Sequence, residues 1–310
     1  MAASRATLLV CNGALAALAM LLLIAPSSLT VVAATAGVPY RAAMVEHSPV
    51  FPANATPVEM MAANMALYEL HMVAAKASGA QVVVFPEFGL GPKNFIDRDQ
   101  LLPFAEHLPA VSNATGQTAP CYDASAPPVF RNASCFALNY GILVSINMYD
   151  VQPCTTASDP RCPRDGRFQY NTEVVFDERG IMVAKYYKTH VFYLNCFDEP
   201  ATPDLVYFTS AFNVTFGVFT CFDIMFETPS VPLVNLGIRN FLYSVAMSAL
   251  GPVGKDIFEI WSARHNSTLL ASNDGTGPSG AFVHGVNKVS QQVNIPGTTN
   301  EVLLLADLVA

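Results

Sequence analysis

The chain has 310 residues, 52% of them hydrophobic and 13% charged, and a formal charge of -8 with no Lys/Arg stripe anywhere along it. That length and composition suit one large domain with a sizeable core. The acidic balance supplies no field to gather phosphates, which sets nucleic acid aside as a partner.

Residues 1–36 have one Arg near their start, an apolar run to about residue 25 and small residues through Ala34-Thr35-Ala36. This is the layout of a secretory signal peptide cleaved near Ala34 or Ala36. An uncleaved membrane anchor is the alternative, opposed by Asn12 and Gly13 within the apolar run. The expected division is therefore a signal peptide at 1–36 and a mature domain at 37–310, secreted or lumenal. Secretion makes two further features legible. Asn-x-Ser/Thr sequons stand at Asn54, Asn113, Asn132, Asn213 and Asn266, candidates for glycosylation. The cysteines after the leader, Cys121, Cys135, Cys154, Cys162, Cys196 and Cys221, become disulfide candidates, and close spacing favours Cys121 with Cys135 and Cys154 with Cys162.

Residues 40–47 read as a first strand. Thr56, Pro57 and Glu59 then give a capping box with proline at the first helical position, and Val58, Met61, Met65, Tyr68 and Met72 fall on one face of the helix that follows, with Gly79 as its stop. The methionine stripe is core packing. Residues 81–87, QVVVFPE, are a buried β-branched run that places Glu87 at the carboxyl end of a strand, where a carboxylate either pairs with a cation or does chemistry. Residues 91–131 read as a loop-rich excursion, and strands resume over 140–148. A tight Cys154-to-Cys162 loop precedes a hairpin of residues 172–176 and 181–187, turned by Asp177-Glu178-Arg179-Gly180 and ending at Lys188.

Residues 216–226, FGVFTCFDIMF, form an apolar strand that ends at Cys221 and turns through Asp223 toward a helix start at Thr228-Pro229. That is the outline of a nucleophile elbow, although a lone cysteine there also reads as a small buried core residue. A short helix over 229–236, a strand over 241–245, a helix over 257–264 containing Trp261, and strands over 269–272, 281–284 and 302–305 complete an α/β alternation. Residues 275–280, GTGPSG, are a turn, since no phosphate-binding strand and helix flank them. No His, Asp and Glu grouping has metal-ligand spacing. His71, His190 and Trp261 read first as structural.

Glu87, Lys188 and Cys221 thus end predicted strands in that order. The motifs VVVFPE, KYYKTH and GVFTCFDIMF resemble the Glu-Lys-Cys pattern of the nitrilase superfamily. CTTASDPRCPRDGRFQYNTEVVF and SARHNSTLLASN are similar to segments of its secreted branch, which contains the vanins (pantetheine hydrolases) and biotinidase. The resemblance implies an α-β-β-α sandwich and a thiol amidase needing neither metal nor organic cofactor. It casts Cys221 as nucleophile, Glu87 as general base and acid, and Lys188 with the backbone N–H of Phe222 as oxyanion stabilisers. It implies a small linear amide as substrate, pantetheine before biotinyl amides, and leaves the oligomeric state open, with a homo-oligomer as one possibility. A catalytically silent binding protein on the same fold is the competing class. Two departures stand out. The branch carries a second glutamate six or seven residues after the lysine, where this chain has Leu194 and Asn195, with Asp198 and Glu199 nearby. The chain also ends where the smaller C-terminal domain of vanins and biotinidase would begin, so that domain is expected to be absent.

Overall fold

The computed structural model describes residues 37–95, 97–192, 196–247, 250–275 and 277–310. The expected signal peptide at 1–36 and the Leu194–Asn195 departure lie outside them. In chain order the elements are β1 (Pro39–Glu46), α1 (Pro57–Ala77), β2 (Val82–Val84), a one-turn α2 (Arg98–Leu101), α3 (Pro128–Tyr140), β3 (Leu143–Pro153), β4 (Arg167–Phe176), β5 (Met182–Tyr187), β6 (Tyr207–Thr209) and β7 (Thr215–Thr220). There follow α4 (Ser230–Asn235), β8 (Asn240–Val245), α5 (Pro252–Arg264), β9 (Thr268–Asn273), β10 (Gly280–Val283), β11 (Val286–Asn287), β12 (Gln291–Asn294) and β13 (Val302–Val309).

Two sheets stack on each other and helices cover both outer faces, giving the α-β-β-α sandwich. The seven-stranded sheet runs β12-β13-β1-β2-β3-β4-β5 and the six-stranded sheet β11-β10-β9-β8-β7-β6. Each has a parallel centre, β1-β2-β3 in one and β7-β8-β9 in the other. The apolar alternation of the strands divides the core accordingly. Val83, Val144, Ile146 and Leu305 face α1 and α3, whereas Val82, Val84, Leu143 and Ala306 meet Phe216, Val218 and Leu242 between the sheets. On the outer side of the second sheet, Trp261 of α5 packs at 5.3 Å on Phe219 and 5.2 Å on Phe241, the structural role its sequence context indicates.

The capping box at Thr56 and Glu59 is present, and Met61, Met65, Tyr68 and Met72 are buried. Val58 is not: it is 66% exposed in the first turn, before the helix reaches the sheet. The helix is capped by Ser78, and Gly79 follows with a φ of 73°. Residues 128–140, partly assigned to loop by the sequence, form α3. Pro128 sits at its first turn, Gly141 ends it in the left-handed conformation (φ 60°), and Phe130, Ala133 and Ala137 fill the first sheet's outer face. Disulfides join Cys121 to Cys135, fastening the loop before α3 to the helix, and Cys154 to Cys162. Cys196 and Cys221 are unpaired and buried.

Candidate active site

Because β2, β5 and β7 run in the same sense within their sheets, their carboxyl ends open on one side of the sandwich. β2 stops short of the sequence expectation, at Val84. Pro86 cannot donate to a ladder, and Phe85 is held individually, its N–H donating to Ser145 O at 2.9 Å and its carbonyl accepting from Ser244 Oγ at 2.7 Å. Glu87 follows in a turn rather than in the strand. Phe88 has a φ of 59°, a conformation costly for an aromatic residue, and its N–H donates to Asn147 Oδ1 at 3.0 Å. Gly89 is required by close approach: a Cβ there would lie 1.9 Å from Tyr68 Oη on α1.

Lys188 leaves β5 with its N–H on Asn171 O at 2.9 Å and carries Nζ to Glu87 Oε1 at 2.5 Å. Asn171 Nδ2 donates to the same oxygen at 2.7 Å. Among the described residues no nitrogen or oxygen donor reaches Glu87 Oε2. The Cys221 thiol lies against this carboxylate and receives the N–H of Ala246. Cys221 opens a 3-10 turn (Cys221–Met225) directly after β7, and its φ of 49° is again left-handed. Strain of this kind, of order 1–3 kcal/mol per residue, persists only where surrounding structure over-determines it. The overdetermination is visible. Tyr243 Oη donates to Cys221 O at 2.8 Å, and the fully buried Asp223 accepts from Tyr186 Oη at 2.7 Å, His190 N at 2.8 Å and Thr220 N at 3.1 Å. Asp223 therefore clasps the cysteine turn to the segment that carries Lys188, and His190, whose Nδ1 meets Asp223 at 3.0 Å, is a structural part of that clasp.

Glu87, Lys188 and Cys221 are 0%, 3% and 5% exposed, and all three line a cavity of about 400 Å³. Its other walls are chiefly apolar: Phe192, Phe222, Met225, Met247, Leu250 and Ile257, with Lys93 and Asn94 also lining it. Burial pushes the Cys221 thiol far up, the Glu87 charge adds to this, and Lys188 and the Ala246 N–H only partly oppose it. Burial works against the Lys188 ammonium, yet the pull of Cys221 whenever that thiol is ionised, together with the Glu87 and Asp223 charges, holds it above the ordinary lysine range. The resting pair is thus a neutral thiol beside an ammonium–carboxylate ion pair, unlike a cysteine that is poised as a free thiolate.

Phe222 is brought to the same cavity. The disulfide cysteines are elsewhere, and the five sequon asparagines are all exposed. Asp198, near the departure from the branch pattern, is taken up by Arg98 at 2.9 Å and by Gln169 N at 2.7 Å, while Glu199 accepts from Val191 N. Asn171, Asp223 and Tyr243 escaped the sequence reading. Asn171 had a signal, a polar side chain in an otherwise buried strand; Asp223 resembled an ordinary turn residue.

A family model described as carbon-nitrogen hydrolase matches residues 41–273. The chain belongs to the carbon-nitrogen hydrolase family. Among characterised relatives, the biotinidase of Mus musculus is 34% identical over 261 residues, covering 79% of this chain and 49% of that protein. The pantetheinase of Homo sapiens is 36% identical over 248 residues, covering 76% and 47%. The chain spans about half the length of these relatives. Solved structures agree on the fold of this family member: the amidase from Nesterenkonia sp. AN1, in a mutant showing Michael addition of acrylamide at its active-site cysteine, superposes with a TM-score of 0.60 at 15% identity over 87% of this chain and 93% of that one.

Proposed function

We propose that residues 37–310 form the catalytic domain of a thiol amidohydrolase that cleaves a small linear amide through a thioester on Cys221. The observation that carries this reading is the division of labour on Glu87. One oxygen takes the protons of Lys188 and Asn171, the other has no nitrogen or oxygen donor among the described residues, and the carboxylate hydrogen-bonds the strained Cys221 thiol at an apolar cavity.

The chemistry follows from those positions. As Cys221 sulfur attacks the amide carbon, the thiol proton passes to Glu87, so no free thiolate has to form beforehand. The developing oxyanion is met by the Lys188 ammonium and the backbone N–H of Phe222, an interaction worth ~10²- to 10³-fold in turnover per donor. The C–N bond breaks, Glu87 returns its proton to the departing amine, and a thioester remains. Water then attacks that thioester with Glu87 again as base, releasing the acid and restoring the thiol.

Pantetheine is the first-choice substrate, giving pantothenate and cysteamine, because pantetheinases are among the relatives at about one-third identity and the cavity walls suit an uncharged chain. Biotinyl amides are second, on the same footing through the biotinidases. Two disulfides and exposed sequons support residence in an oxidising, glycosylating compartment. The test is a panel of both amides with intact-mass spectrometry. An acyl adduct on Cys221, absent from Cys221→Ala, is the expected result; a folded protein with neither adduct nor turnover on any amide would instead mark a binding protein.

A further inference from the structure

Glu173, on β4 beside the proposed site but outside its cavity, is 1% exposed, and its hydrogen-bond inventory does not balance if it is ionised. Ser145 Oγ donates to Oε1 at 2.7 Å. Oε2 receives nothing. The other polar neighbours have already committed their protons. Ser244, which borders the carboxyl, gives its one hydroxyl proton to Phe85 O at 2.7 Å. Asn147 gives its two amide protons to Asn171 Oδ1 at 2.7 Å and Thr172 O at 3.3 Å. Ser244 and Asn147 lie close enough to favour an ionised Glu173, yet with their protons given elsewhere they compensate its burial only in part, whereas a carboxylic acid can donate to Ser244 Oγ and accept from Ser145.

We propose that Glu173 is a proton-holding positioning residue: its neutral carboxyl group bridges Ser145 of the first sheet and Ser244 of the second, and so fixes Phe85 and the turn that presents Glu87. Both serines act on Phe85 directly, one through its own backbone carbonyl and the other through its hydroxyl. Glu173 also abuts the Asn147–Asn171 chain that ends on Glu87 Oε1. Ionising it does two things at once. The bridge to Ser244 loses its proton, and a second negative charge appears behind Glu87, competing for the Lys188 ammonium and favouring a protonated base.

The groups facing Glu173 leave it as the one that titrates in the mildly alkaline range. Burial raises its carboxyl to about 8, with Ser145, Ser244 and Asn147 opposing and the Glu87 charge adding to the rise. Tyr68 of α1, Tyr186 of β5 and Tyr243 of β8 are phenols held well above their usual range, chiefly by burial. Cys221 and Lys188 are likewise shifted upward, away from neutrality.

This inference rests on the amidohydrolase reading for its kinetic arm, and a second arm is independent of it. Glu173→Gln mimics the neutral acid, donating to Ser244 and accepting from Ser145. The variant is expected to keep kcat near neutrality within about threefold and to hold it constant up to about pH 9.5, where the wild type loses about tenfold or more. In the independent arm, an infrared titration of the wild type shows a protonated-carboxyl stretch at neutral pH that vanishes near pH 8 and is missing from Glu173→Gln. A wild-type spectrum without that stretch overturns the proposal whether or not the protein is active, as does an alkaline limb that is the same in both proteins. A kinetic arm that fails with the infrared band present refutes the coupling to Glu87, while absence of turnover in every form refutes the amidohydrolase reading and leaves the infrared result to decide the protonation state.

Discussion

Among the buried carboxylates that nitrogen donors hold, Glu301 and Glu87 are wired differently. Glu301, just before β13, has both oxygens satisfied: His47 Nδ1 stands 2.9 Å from each, and His71 Nε2 reaches Oε2 at 2.7 Å. His47 Nε2 in turn donates to Gly89 O at 2.9 Å, so this cluster braces the turn after Glu87 from behind. Glu87 instead has two nitrogen donors on one oxygen and, among the described residues, none on the other, and its carboxylate meets the Cys221 thiol at the edge of a cavity. Burial of charge is common to both clusters. What separates a structural clamp from a reactive one is the unpartnered atom and the space in front of it, which is why perturbed ionisation alone is a weak guide to function.

The largest expected effect falls on the open cluster. Cys221→Ser keeps the turn and hydroxyl size but replaces the nucleophile with one that Glu87 activates poorly, and turnover is expected to fall by ~10⁴-fold or more with little change in melting temperature, checked by steady-state assay and thermal denaturation. The sealed cluster should answer in the opposite way. Glu301→Gln leaves two buried imidazoles without their carboxylate and is expected to cost about 3–5 kcal/mol in denaturant unfolding, with the acylation rate of the remaining folded protein close to that of wild type. Equal damage to rate and stability in either variant would erase the distinction.

A smaller effect sharpens the same contrast through pH. Burial raises the Glu301 carboxyl, but hydrogen bonds from His47 and His71 outweigh it and leave the group lowered from 4.5. Burial lowers His71 from 6.5, against the pull of Glu301. For a lowered carboxyl, stability is present above the unfolded value and is lost as pH falls through the folded one. For a lowered imidazole the unfolded chain takes up the proton first, so stability also falls once pH drops below 6.5. Both therefore act in the same direction but in successive windows, His71 from about pH 6.5 downward and Glu301 only from about pH 4.5 downward, each by up to ~1.4 kcal/mol per unit. Glu301→Gln should remove the part below about pH 4.5 and carry the His71 part to lower pH, because the carboxylate that favours a charged His71 is gone, as followed by chemical denaturation across the range.

How far the sequence carried the reading differs between these clusters. Glu87, Lys188 and Cys221 could be singled out because each comes shortly after a strand whose apolar run is local, and the segments past the carboxyl ends of such strands are where an α/β sheet presents groups. The Glu301 cluster was invisible, since its partners lie 254 and 230 residues away and only the closing of β13 onto β1 brings them together. The capping box of α1 is a local signal and was read. α3 was lost behind consecutive prolines and a sequon, although Pro128 and Gly141 bracket it as a start and a stop. The polar edge strand β12 (QQVN) has no apolar alternation to find, because its pairing with β13 rests on backbone hydrogen bonds at the rim.

In the proposed mechanism Cys221 rests as a neutral thiol and depends on Glu87 to take its proton. An ultraviolet thiolate titration of wild type and Glu87→Gln, run beside turnover, puts this to the test. No Cys221 thiolate is expected in the wild type from about pH 7 to about pH 9. In Glu87→Gln a lower thiol midpoint is expected, because a charge that helped hold the proton is gone, together with a turnover ~10²- to 10⁴-fold lower. A wild-type thiolate already present at neutral pH, or a Glu87→Gln variant that keeps full turnover, would contradict this mechanism.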